Sequence, residues 1–291
     1  MTTAAKSPED VARAVLQRFH VTGPVDLCEL ASKIGLSVKE VDVRDFEGAL
    51  VRVPNKPSGI VAVKRDIREE GRKRFTIAHE FGHYLLPGHG MFERTCTSEN
   101  IESASRRVPS HEAAANLFAS ELLLPAAQVR PIVRSKLASI ETAEFLASEF
   151  ETSLTAALLK CVALTDERCC VVMSRNQIIE WAKPNELFKH FISRRERLSS
   201  DCLAIALMIR NRESRASGLI SADVWLEDSH LMVGVRIYED SIFQPYYNRV
   251  LTVLTIHEPL SDSHIDDEDS LLDDLDPDEF TIHRRRWPGR R

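Results

Sequence analysis

Residues 79–83 read His79-Glu80-Phe81-Gly82-His83. Two histidines four residues apart share one face of an α-helix, so both imidazoles can reach a single ion. Glu80 sits about 100° round the helix from His79, beside such an ion rather than on it, where its carboxylate can hold a water. A hydrolytic zinc takes three protein ligands and leaves its fourth position open. Its water then has a pKa of about 7, and a neighbouring carboxylate can act as general base while the metal stabilises the oxyanion. Glu80 is the catalytic candidate, and His79 and His83 are the first two metal ligands. Four residues could supply the third: Glu112, His111, His89 and Glu121. His89 stands one residue past the Pro87-Gly88 break, so only a strained short link would bring it back. Glu112 opens an amphipathic stretch, and a carboxylate from a second helix would complete a His2Glu set. An acidic residue in a first turn equally answers the helix dipole, so spacing alone leaves the choice open.

The motif depends on the elements around it. From Arg68 to Leu86 the apolar period is helical, with Ile77, Phe81, Tyr84 and Leu85 on a buried side, and Pro87-Gly88 stops it. Ser110–Leu124 reads as a second helix, ended by Pro125, with Asn116 one turn after Glu112. Asn116 is placed to orient Glu112, and Tyr84, next to His83, is either a supporting contact or an apolar packer. Upstream, Ser7 caps a helix to Phe19, and Asp26–Ile34 forms a short helix before Gly35. Leu36–Val43, Ala49–Val53 and Ile60–Lys64 read as strands. Cys96–Val108 is a polar loop, and further amphipathic helices run to about Leu164. The texture changes after Thr165. Cys169–Ser174 and Gln177–Trp181 read as strands about an Arg175-Asn176 turn. Val224–Leu226, Leu231–Tyr238 and Arg249–Ile256 read as three more, with helices at Pro184–Leu198 and Ser200–Ile209.

Arg74-Phe75-Thr76-Ile77-Ala78-His79-Glu80-Phe81-Gly82-His83-Tyr84-Leu85-Leu86 resembles the signature of the ImmA/IrrE family of zinc metallopeptidases. The second half of that signature is matched, with its internal spacing, by Glu112, Ala115-Asn116, Phe118-Ala119, Leu122-Leu123 and Pro125. Pro24-Val25-Asp26-Leu27, Leu30-Ala31, Gly35-Leu36 and Glu47-Gly48 resemble the family's N-terminal portion, so the likeness spans about residues 8–165. The resemblance implies one Zn2+ per chain on His79, His83 and Glu112, with Glu80 as base. It implies an α+β fold: a mainly helical, zincin-like peptidase domain with a small β-sheet over 1–165. An α+β domain over 166–261 would follow, resembling the GAF-like sensor extensions of IrrE-like members, with no motif that names a ligand. Two departures stand out. Some members carry a histidine where this chain has Pro87, and many carry a fused helix-turn-helix domain where this peptidase block begins almost at Met1. A metalloendopeptidase acting in trans on a separate XRE-type helix-turn-helix repressor encoded nearby is therefore expected, derepressing a stress-response or mobile-element operon. A regulatory binding protein with a structural zinc, or a toxin-like peptidase, is the alternative.

Composition narrows the classes. The 291 residues are 43% hydrophobic and 28% charged, the balance of a chain that buries a core, so collagen-like and wholly disordered readings are excluded. The net charge of -6 argues against a polyanion binder, and direct DNA binding is not expected. Most of that charge lies in the last 30 residues. Asp262–Glu279 holds ten acidic residues, and Phe280–Arg291 adds five arginines. This reads as a flexible tail whose spaced leucines could dock a basic partner. Lys64–Arg74 carries six basic and three acidic residues and reads as a solvated helix lead-in. The six cysteines form no C-x-x-C pair and read as buried, reduced thiols. The polar Met1–Asp10 start gives no expectation of a secretory signal, and the longest apolar run, Leu203–Ile209, falls far short of the roughly 20 residues of a membrane span. A cytoplasmic protein is expected.

Overall fold

A computed structural model describes residues 7–52, 58–87, 94–96, 110–210, 214–226 and 235–256. The Cys96–Val108 loop beyond residue 96, His89 and the acidic tail lie outside the described residues. The chain is α+β and divides into two compact units, Met1–Leu137 with Glu141–Thr165, and Ala138–Ile140 with Asp166–Arg291.

The first unit opens with α1 (Pro8–Arg18). Ser7 and Asp10 form a reciprocal capping box, which satisfies two otherwise orphaned N–H groups. In α2 (Leu27–Ile34) the buried residues are Leu27, Leu30 and Ala31, one side of the helix. Cys28 therefore lies on the outer side and is exposed, unlike the buried thiol expected. Strands β1 (Leu36–Val41), β2 (Gly48–Arg52), β3 (Gly59–Lys64) and β4 (Arg94–Cys96) form one sheet in the order β1-β3-β2-β4. β1 runs parallel to β3, and β2 is antiparallel to both neighbours. β4 falls where a loop was expected to begin: three residues are too short to show a period, and pairing with β2 makes them a strand.

Helix α3 (Glu70–Leu85) packs on this sheet and α4 (Ser110–Leu123) packs on α3 and α1, followed by α5 (Ala126–Arg134), α6 (Ile140–Glu149) and α7 (Leu154–Leu164). Phe81 of α3 and Phe118 of α4 are fully buried in one apolar core. The basic run before the motif is bound to its own unit. Arg65 pairs with Asp42, Lys73 with Glu40, Arg72 with Glu47, and Arg74 donates to the Val25 carbonyl. Arg65, Asp66, Arg68 and Glu70 stay exposed, as a solvated lead-in requires, while Arg72, Lys73 and Arg74 are largely buried and brace α3.

The second unit is a five-stranded antiparallel sheet, order β6-β5-β9-β8-β7, with α8 (Leu203–Arg210) against it. Its strands are β5 (Arg168–Arg175), β6 (Ile178–Pro184), β7 (Arg215–Ser221), β8 (Arg236–Gln244) and β9 (Arg249–Ile256). The β5–β6 turn lies at Asn176-Gln177, both with positive φ, one residue later than expected. Pro184–Leu198 is not a helix. Its far end returns along β6, where Arg195 N donates to Ile179 O and Ile179 N to Glu196 O, so the edge of β6 takes up the backbone groups a helix would have paired. Val224–Leu226 is not a strand. Ala222–Val224 makes a 3-10 turn, and the Ala222 carbonyl accepts from both Trp225 and Leu226 N–H. β7 takes the place beside β8.

Glu239 is buried at the start of α8. It accepts from the N–H groups of Leu203 and Ala204, from Trp225 Nε1 and from Ser241 Oγ. Burial pushes its carboxyl above the usual range against those four donors. Burial also pushes the nearby Cys202 thiol up to about 12, so it is inert as a nucleophile.

Candidate metal centre

α3 and α4 come together because neither presents bulk where they cross. A Cβ on Gly82 would stand 3.0 Å from Ala115 Cα and 3.2 Å from its carbonyl oxygen. Glycine against alanine thus lets the two backbones approach. Glu112, Ala115 and Asn116 share one face of α4 at three- and four-residue spacing, so this close approach carries Glu112 and Asn116 to the histidine face of α3.

The three side chains meet in a buried point. His79 Nε2 lies 3.0 Å from His83 Nε2 and 3.1 Å from Glu112 Oε2, and His83 Nε2 lies 3.5 Å from the same oxygen. Ligands about 2.0–2.1 Å from a tetrahedral zinc are separated by about 3.3 Å, so these spacings suit one such ion. His79 Nδ1 lies 2.8 Å from Asn116 Oδ1. An amide oxygen can only accept, which places the proton on Nδ1 and turns the Nε2 lone pair inward. Lone pairs converging at 3.0–3.5 Å repel one another unless a cation stands among them. His79, His83 and Glu112 form the one group of three or more such donors suited to a metal among the described residues.

The other candidates fall elsewhere. Glu121 is buried but engaged by Lys160 Nζ at 2.6 Å and Arg13 at 3.2 Å, an ion pair tying α4 to α7 and α1. Replacing Glu121 by Ala strands the Lys160 ammonium and is expected to cost about 3–5 kcal/mol of stability. Urea melts should read this with zinc stoichiometry unchanged. His111 rests with Nε2 3.3 Å from Glu112 Oε1, at the rim of the group rather than in it. Asn116, expected to orient Glu112, has its side-chain oxygen 2.8 Å from His79 Nδ1. Asn116→Ala is expected to weaken zinc affinity about 10–100-fold, read by competition with a chromogenic chelator. Tyr84 is half-buried against the core, its ring 4.9 Å from the Arg52 guanidinium.

Arg52 itself was not legible as a site residue. From β2 it donates to the His83 and Tyr84 carbonyls, capping the end of α3 that carries the second histidine. Its partners are over thirty residues away, and no local pattern marks such a pairing. Glu80 is fully buried on the face of α3 turned to β2.

Residues 31–161 match the family model described as the IrrE N-terminal-like domain, a peptidase family. This part of the chain is thus similar to IrrE N-terminal-like peptidase domains. The buried trio and Glu80 all lie inside this IrrE-like domain. No curated protein matches the chain significantly. Among solved structures, one described as a Mycobacterium tuberculosis transcriptional regulator is similar over 85% of this chain and 76% of its own, with a TM-score of 0.53 and 14% identity. At that identity the likeness speaks for the fold. No described helix is long and apolar enough to cross a membrane.

Proposed function

We propose that the IrrE-like chain is a cytoplasmic zinc-dependent endopeptidase that cuts a helix-turn-helix repressor encoded nearby, relieving repression of a stress-response or mobile-element operon. The observation that carries this reading is the convergence of His79 Nε2, His83 Nε2 and Glu112 Oε2 on one buried point. His79, His83 and Glu112 would hold one ion. When bound, zinc supplies an acidified water and polarises a carbonyl oxygen.

The remaining work falls to this chain's own groups. Asn116 fixes the His79 tautomer and ring. Arg52 holds the end of the helix that carries His83. The Glu80 carboxylate takes a proton from the attacking water as the new C–O bond forms. It then delivers that proton to the departing amine nitrogen as the C–N bond breaks, so the carboxylate ends as it began.

Co-expression with the neighbouring repressor tests the reading. Two fragments should accumulate, the downstream one with a single new N-terminus by sequencing, and none should form with the Glu80→Gln chain. An intact repressor beside a zinc-loaded wild-type chain would favour a regulatory binding protein instead.

A further inference from the structure

Three residues of α3 at four-residue intervals, Arg72, Thr76 and Glu80, face the start of β2. Arg72 grips Glu47, Nε to Oε2 at 3.1 Å and Nη2 to Oε1 at 2.6 Å, and both side chains are largely buried. Such a two-point fork fixes distance and direction together, so the strand cannot ride away from the helix at residue 47. The next residue is Gly48. A Cβ there would stand 2.6 Å from Thr76 Cγ2, 2.7 Å from Glu80 Oε1 and 3.3 Å from Glu80 Cγ.

These neighbours differ in their freedom to move. β2 is paired on both sides at this residue, Gly48 against Val63 and against Cys96, so its backbone is pinned. Thr76 is β-branched, and its hydroxyl donates to the Arg72 carbonyl at 3.1 Å, so its methyl is held as well. The Glu80 carboxylate is the far end of a flexible chain and is the group that must give way.

We propose that Gly48, held against α3 by the Glu47–Arg72 fork, is a positioning residue that sets where the Glu80 carboxylate stands. The glycine serves by having no side chain, and the fork makes the resulting slot narrow enough to define one place for the carboxylate. The inference rests on Glu80 being the general base, but the contact it depends on can be measured without turnover.

The test uses the full chain with Gly48→Ala, alone and combined with Thr76→Ser, which removes the competing methyl and keeps the hydroxyl. Gly48→Ala should retain its zinc, and kcat on the purified repressor should fall about tenfold or more with KM within about twofold, the pattern of a lost transition-state interaction. Thr76→Ser should not restore kcat. In the Thr76→Ser chain Gly48→Ala should lower the melting temperature, and in a Thr76→Ser, Glu80→Ala chain it should not, because the carboxylate it displaces is gone. Arg72→Lys, which keeps the charge and loses the fork, should lower kcat in the same direction with zinc retained. An unchanged kcat, recovery on Thr76→Ser, or an equal melting loss with and without the Glu80 side chain would overturn the proposal. Cleavage retained by Glu80→Gln would instead remove the general-base reading, and the melting comparison would still decide the contact.

Discussion

Glu80→Gln is expected to keep one zinc ion per chain and to lower repressor cleavage by about 10²–10⁴-fold, the usual worth of a positioned general base. The amide is nearly the same size as the carboxylate, so Gly48 and Thr76 meet the same volume and the unit should fold as before. His79, His83 and Glu112 contact one another without Glu80, so metal content should not change. What is lost is the lone pair that takes the proton. Metal analysis alongside a single-turnover gel reads both halves. Full cleavage by the variant would mean that another group moves the proton.

His83→Ala is expected to act at the other end of the chain of causes. Its Nε2 lies 3.0 Å from that of His79 and 3.5 Å from Glu112 Oε2, and the residue is almost wholly buried. Its loss would remove one of the three proposed ligands, so zinc affinity should fall by more than the roughly 100-fold attached to an outer supporting partner. Turnover should vanish with the metal. A ligand at free concentration L that binds only the folded state stabilises it by RT ln(1 + L/Kd), so the melting temperature rises with affinity and concentration. Added zinc should therefore raise the melting temperature of the wild-type chain and leave that of His83→Ala nearly unmoved. Calorimetric titration with melts in and out of zinc makes the comparison, and an equal zinc response in both chains would mean that His83 is not a ligand.

The motif helix was readable because its determinants are local: an apolar period, a Pro-Gly stop and two histidines one turn apart. Glu112 was one of four candidates by spacing, and only the resemblance preferred it. The geometric reason for its place is the Gly82–Ala115 crossing, a contact between residues 33 apart that no local pattern encodes. The same holds for Asn116, whose oxygen meets His79 Nδ1 across the helix pair, a partner 37 residues away.

In the second unit Pro184–Leu198 carries helix-compatible residues, but its backbone groups pair with the open edge of β6. Edge pairing is a tertiary choice. Val224–Leu226 was read as a strand from its apolar residues, whereas Trp225 is held by the buried Glu239 and the turn follows from that anchor. Runs whose burial is decided by a partner elsewhere in the chain were the ones misread.

Zinc-edge X-ray absorption on the loaded full-length chain addresses the centre most directly. Two imidazole nitrogens and carboxylate or water oxygens at about 2.0–2.2 Å, with no sulfur, are predicted. A sulfur shell near 2.3 Å, or a first shell unchanged in the His83→Ala chain, would contradict a metal centre built on His79, His83 and Glu112.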